Sequence, residues 1–264
     1  MGGQAYHPAV TELVLVAVDW SGRADDRGRT MWMAVVEDGE FCRLENGRSR
    51  PELCDELIRL RGRSGRLVVG IDFAFGFPQW YAKANGWTCG RDIWRAANRD
   101  GESWLKSAAA PFWGRTTKCP QHPGDALRRT ERAVGGSPRS IFQIGGAGAV
   151  GTGSIRGMAV LHELAGNGFA VWPFEPAGVA TVIEIYPRLF TGKVVKSSAP
   201  ACLRHLNEHY PNDELPDLFR GMAAATEDAF DAAVSVLEMA RTGDALCRLP
   251  DGDEVDRIEG RIWS

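Results

Sequence analysis

The sequence predicts an α/β domain on a mixed sheet, with three antiparallel strands, then parallel strands, and helices on both faces. Three observations carry this. Two continuous apolar runs, 14–19 (VLVAVD) and 66–72 (RLVVGID), read as strands buried on both faces, and each ends in an acid. The first is followed by two β-rich runs, 30–37 (TMWMAVVE) and 40–44, joined by Asp38-Gly39, a pair that favours a tight hairpin. Helical and strand periodicities then alternate to the end of the chain, which calls for parallel strands with crossover helices.

The remaining elements follow in order. Residues 51–63 (PELCDELIRLRGR) carry Leu53, Leu57 and Leu60 at helical spacing behind Pro51 in the first turn. Residues 73–140 are rich in Trp, Gly, Pro and Arg with weak periodicity, and are expected to be an insertion of helices and loops packed on the core. Residues 155–165 are predicted helical, 169–174 extended, and 179–186 (VATVIEIY) a further buried strand stopped by Pro187. Helices are expected at 199–209 and 226–241, and the acidic segment 251–264 closes with a short extended piece. No internal repeat or low-complexity linker is visible. Three hairpin-connected strands followed by α-β-α-β-α is the chain order of the RNase H-like fold. The whole of 1–264 is therefore expected to be one such domain carrying the insertion 73–140.

Bulk properties narrow the class. The 264 residues are 44% hydrophobic and 25% charged, ordinary values for a domain with a real core, and the net charge is −3. No apolar run reaches the length of a membrane span. Residues 1–12 lack a basic patch followed by an apolar core. Six cysteines (Cys42, Cys54, Cys89, Cys119, Cys202 and Cys247) have neither CxxC nor zinc spacing. Scattered thiols of this kind, with no leader, lead to an expected cytoplasmic location.

The chemistry-bearing feature is a set of acids. Asp19 and Asp72 each end a buried strand, the place where open α/β sheets form their sites. If the two strands are neighbours, the acids stand about 5 Å apart. Carboxylates that close repel unless protonated or bridged by a cation, and an all-oxygen donor set favours Mg²⁺ or Mn²⁺. Asp228 and Asp231 are three apart in a predicted helix, so they share one face. Helix physics alone also accounts for them, because acids in a first turn behind a capping Thr226 are stabilised by the helix dipole. Glu184 lies inside the run VIEIY, where an isolated buried charge is costly. It is expected either to face water at an edge or to join the acids.

Five segments carry a resemblance: VAVDWSG at 16–22, VVGIDFAFGFP at 68–78, SIFQIGGAGAVGTGSIRGM at 140–158, VIEIYPRLF at 182–190 and EDAFDAAVSVLEMAR at 227–241. Together they resemble domain-of-unknown-function family 429, described as predicted nucleases with an RNase H-like fold. The resemblance runs from the first strand to the last helix. A wider similarity is to RuvC-type junction resolvases, with acids on the first strand, on the fourth strand and as a DxxD pair on the last helix. Asp19, Asp72, Asp228 and Asp231 stand in those places, with Asp72 where resolvases usually carry Glu. The resemblance implies a metal-dependent nuclease in which these four acids hold Mg²⁺ or Mn²⁺; Glu184, if it joins them, is expected to orient a ligand water.

Other signals concern the substrate. GAGAVG (146–151) matches GxGxxG, but it follows some 140 residues of a different architecture. It is read here as a Gly-rich loop whose Gly146 and Gly148 let backbone amides cradle a phosphate, with Arg156 and Arg139 beside it. Ser21 follows Asp19 by two and is expected on the same side. The insertion holds Trp80, Trp87, Trp94, Trp104 and Trp113, and eleven basic residues against five acids give it a formal +6. That suits nucleic acid, through contacts that include Arg128, Arg129 and Arg132; equally, the tryptophans could form a satellite core. A small phosphoester is the other expected partner. His122 and His162 are lone histidines, more often packing residues than acids or ligands. The rival functions are a non-catalytic binding module of the same fold, or an ATP- or sugar-kinase-like phosphotransferase. The latter needs two copies of the fold, and one is visible.

Overall fold

The computed structural model describes residues 11–24, 31–114, 118–122, 124–135 and 137–264. Thr30, the expected first residue of the second strand, and Arg115 of the insertion lie outside them.

The sheet has six strands. β1 (Thr11–Asp19), β2 (Trp32–Glu37) and β3 (Glu40–Asn46) form the antiparallel wing, with Asp38-Gly39 at the hairpin turn. β4 (Ser64–Ile71), β5 (Ala170–Val171) and β6 (Ala180–Glu184) complete it in parallel, in the spatial order β3-β2-β1-β4-β6-β5. This is the predicted RNase H-like mixed sheet. The expected extended piece at 169–174 contributes only the two residues of β5, because a cap-like turn follows it.

Ten helices are seen among the described residues. α1 (Arg50–Arg63) opens with a capping box between Ser49 and Glu52. In the insertion lie α2 (Gln79–Ala84), α3 (Gly90–Ser107) and α4 (Arg129–Ala133). After it come α5 (Gly151–Gly166), α6 (Arg188–Thr191), α7 (Ala199–His209), α8 (Asp217–Ala223), α9 (Glu227–Thr242) and α10 (Asp256–Glu259).

Strand alternation divides the core into two layers. Val14, Val16, Val18, Val69, Ile71 and Val182 face one layer, shared with Leu53, Leu57 and Leu60 of α1 and with Ile155, Met158 and Leu161 of α5. Leu15, Ala17, Val68, Ile183 and Ile185 face the other, against Phe230, Ala233, Val234 and Leu237 of α9. Which layer a strand-end residue faces is thereby fixed, and this decides the composition of the site.

The tryptophans of the insertion pack into an aromatic extension of the α1/α5 core layer and do not form a separate satellite core. Trp94 is fully buried, and Phe77, Tyr81, Trp87, Trp104, Phe112 and Phe142 make a continuous aromatic cluster with ring centroids 5.1–6.2 Å apart. His122 packs in tilted contact with Trp80, Trp113 and Phe142, and its burial lowers its pKa, as expected of a packing histidine.

Candidate functional site

β1 and β4 are adjacent and parallel, with Val18 opposite Ile71 and the Asp72 amide donating to the Val18 carbonyl at 3.1 Å. Asp19 and Asp72 therefore emerge side by side from neighbouring strand ends. By alternation both continue the rows Leu15–Ala17 and Val68–Gly70, which face α9. That helix begins beside them, capped by the Thr226 hydroxyl accepting from the Ala229 amide at 3.1 Å, and brings Asp228 and Asp231 in its first turns. The four acids predicted from sequence share one side of the sheet, at its carboxyl end.

Their electrostatics follow from this crowding. Burial raises the Asp19 carboxyl well above the usual range, and the charges of Asp72, Asp228 and Asp231 push it further. Asp72 is pushed up to about 7, by burial first and then by Asp231, with Lys196 opposing. Asp228 and Asp231 are also raised, mainly by burial. The sequence reading missed the group that offsets this repulsion. Lys196, in the loop between α6 and α7, pairs its ammonium with Asp231 Oδ2, and its charge acts on all four acids. The loop carries no motif that marks its lysine, so its partner is set by the path of the chain. Asp231 Oδ1 is buried and has no hydrogen-bond partner. As the side chains stand, no three His, Cys, Asp or Glu among the described residues converge closely enough to hold an ion.

Glu184 does not join these acids. It lies opposite Ile71 and follows Val182 by two, so it faces the α1/α5 layer rather than α9. There its Oε2 accepts from Arg128 Nη1 at 2.8 Å and from the Phe75 amide at 3.0 Å, and its Oε1 accepts from Arg128 Nη2. Arg128, 1% exposed, also donates to Glu131 Oε1 at 2.9 Å and to the Glu259 carbonyl at 2.9 Å. Glu184 is thus a structural counter-charge, neither a water-facing edge residue nor part of the cluster. One residue of register separates the two roles.

A cavity of about 470 Å³ opens beside the strand ends, walled by Trp20, Phe73, Ile185 and Tyr186, with Asp72, Glu184 and Arg139 contributing charge. Of the four clustered acids, Asp72 alone lines it. Trp20 is fixed by its indole N–H, which donates to the Gly153 carbonyl at 2.9 Å, and by packing on Phe73. The Gly-rich loop reaches the cavity through Ala149, Val150 and the first turn of α5. Gly146 and Gly148, both at positive φ, shape the turn behind it instead of lining it, and Arg139 packs over Gly148. Arg139 is exposed and makes no hydrogen bond or ion pair among the described residues.

Three further expectations are corrected. Arg156 does not wait for a phosphate: it pairs with Glu102 of α3 at 2.6 and 2.9 Å and donates to the Gly22 carbonyl, so it braces the loop after β1. The Ser21 hydroxyl accepts from the Arg23 amide of its own turn at 3.4 Å and lies outside the cavity wall. The insertion is not a free basic surface. Arg91 pairs with Glu175, Arg128 with Glu184, Arg129 with Asp253 and Asp256, and Arg132 with Asp125. Four of those acids come from outside the insertion, so the excess charge counted along the sequence is largely neutralised in space.

The loop after β1 is held by a backbone crossing. A Cβ on Gly22 would stand 2.4 Å from the Gly153 Cα, where no side chain can yield. Gly22→Ala is expected to cost about 1–3 kcal/mol, as overpacking does. Gly62→Ala, in α1 with nothing within 4 Å of the new methyl, should cost nothing. Urea denaturation of the two variants checks this; equal stabilities would contradict the crossing.

Fold and acids together define a class: an α/β protein whose mixed sheet presents paired strand-end aspartates to an acidic helix N-terminus. Compared with known proteins, the chain matches no family model, no curated protein and no solved structure. No helix among the described residues is long and apolar enough to cross a membrane.

Proposed function

We propose that this chain is a metal-dependent phosphodiester hydrolase, a nuclease-type enzyme of the RNase H-like superfamily. The observation that carries the reading is the adjacency of Asp19 and Asp72 on neighbouring parallel strands, both facing the helix that bears Asp228 and Asp231. The donor set fits Mg²⁺ or Mn²⁺: all its atoms are hard oxygens, and the buried Asp231 Oδ1 lacks a partner. Asp19, Asp72, Asp228 and Asp231 would hold the ion, whose chemistry is activation of a water and polarisation of a phosphoryl oxygen.

The chain's own residues supply the rest. Trp20, Phe73 and Tyr186 offer an apolar wall of a size for one nucleotide-like unit, and shield it from water. Arg139 at the rim is free to take a phosphate oxygen. The ion-paired insertion favours a small phosphodiester or the end of a single strand over a docked duplex, because duplex binding draws on many free cations. Glu184, paired with Arg128 on the opposite face of the sheet, lies outside the proposed catalytic set. Six free cysteines support a reducing, cytoplasmic setting.

The test is hydrolysis with Mn²⁺ or Mg²⁺ across a small phosphodiester and single-stranded, duplex, hybrid and branched nucleic acids, beside thermal unfolding with and without the metal. Metal-dependent cleavage is expected, with an added stability of about 2.7 kcal/mol at a hundredfold excess over Kd, both lost in Asp19→Asn. Neither cleavage nor a thermal shift in saturating metal would reject the function.

A further inference from the structure

We propose that Lys196 is a built-in second cation, so that the acid cluster takes one divalent ion where a site of this composition could take two. The inference rests on the metal-site reading above and deepens it.

The argument starts from the two oxygens of Asp231. This side chain is buried, and its two oxygens have different fates: Oδ2 is engaged by the Lys196 ammonium, and Oδ1 has no partner. A carboxylate that served two ions would offer an oxygen to each. Here one of those places is taken by the lysine, at hydrogen-bonding distance. An ion at that oxygen would lie against a full positive charge, and the repulsion between charges so close in a half-buried setting is large. The other oxygen is buried without a hydrogen-bond partner, so it is the one left to an ion.

The lysine is also held in place. Its carbonyl accepts from the Cys202 thiol of α7 at 3.4 Å, and the Ser198 hydroxyl caps the same helix by accepting from the Ala201 amide. The loop is therefore pinned at the residue and on its C-terminal side, and the Lys196 side chain is only 19% exposed. Lys193, three residues earlier in the same loop, is exposed and makes no pair among the described residues, as an ordinary surface lysine does. Lys196 thus differs from its neighbour in burial, partner and anchoring. An ammonium also differs from a second metal in what it does: it neutralises charge and donates hydrogen bonds, but it neither leaves with chelator nor needs loading. Lys196 acts here as a positioning residue that orients Asp231 and sets the charge of the site.

The experiment is Mn²⁺ titration of the EDTA-stripped full chain, by calorimetry and by electron paramagnetic resonance. Wild type is expected to bind about one ion per chain with the spectrum of an isolated Mn²⁺, whereas Lys196→Met admits about two, with spin coupling between them. Lys196→Arg, which keeps the charge, and Lys193→Met, which removes a surface charge, should both stay near one. Two coupled ions in wild type would overturn the inference and leave the metal-site reading standing. A single ion in a folded Lys196→Met, with wild-type circular dichroism, would equally overturn the lysine's role. No Mn²⁺ binding by wild type or any variant would overturn the metal-site reading and this inference with it.

Discussion

Asp72→Asn is expected to abolish hydrolysis and, in metal-free solution above neutral pH, to make the protein more stable than wild type. The Asp72 carboxyl is pushed up to about 7 by burial at the end of β4 and by the charge of Asp231, against an ordinary value of 3.8. The folded protein thus keeps a proton there that the unfolded chain releases near pH 4. Its contribution is fully present below about pH 4 and is lost as pH rises through about 7. At 1.36 kcal/mol per unit the ceiling is about 4 kcal/mol. Asparagine carries no charge to desolvate and none to repel Asp231, so it escapes this loss. Metal-free wild type should show a melting temperature that falls from pH 5 to pH 8, and Asp72→Asn a shallower fall, because Asp19 and Asp231 still titrate. Excess Mn²⁺ should reverse the loss in wild type and not in the variant. Removing a ligand that acts on the transition state costs several kcal/mol, about a thousandfold in rate. Thermal melts across pH with EDTA or Mn²⁺, beside rate measurements, decide the matter. A variant less stable than wild type at pH 8 in EDTA would show that Asp72 is a structural acid.

Arg128→Met is expected to be the most destabilising single substitution near the site, at about 3–5 kcal/mol, because it strands two buried carboxylates. The guanidinium is 1% exposed and serves Glu131 of α4, Glu184 of β6 and the backbone of α10 together. It holds the insertion and the chain's last helix to the sheet. Without it, Glu184, 3% exposed, and Glu131, 5% exposed, keep no adequate counter-charge. Methionine fills much of the volume, so the loss would come from charge and not from a cavity. Arg128→Met combined with Glu184→Leu should recover part of the stability, since apolar replacement of both partners of a buried pair is tolerated far better than removal of one. The same series separates the two roles a glutamate could have here. Glu184→Gln should lower stability in urea and leave Mn²⁺ affinity unchanged. A large drop in Mn²⁺ affinity would instead put Glu184 among the ligands, contrary to its place on the opposite face.

Much of the candidate site was legible in the residues because strand ends and helix faces are written locally. A continuous apolar run fixes a buried strand, the acid that ends it fixes the end, and DxxD fixes a shared helical face. The hairpin at Asp38-Gly39 and the order of elements then limit the topology, and with it the chance that Asp19 and Asp72 are neighbours.

Other features depend on residues far apart in the chain. Glu184 reads as one more acid in the sequence, but register against β4 turns it to the opposite layer, where a guanidinium 56 residues away awaits it. Arg129 and Arg132 read as a basic surface and Arg156 as a phosphate contact, and ion pairs with Asp253, Asp256, Asp125 and Glu102 engage them. Lys196 has no local mark at all, since its loop could have placed it in water. The sequence by itself determined the sheet, the strand-end acids and the acidic helix, because periodicity and chain order act over a few residues. Only the tertiary structure decided which charges meet, because a buried charge takes whichever partner the packing of distant segments brings within a few ångströms.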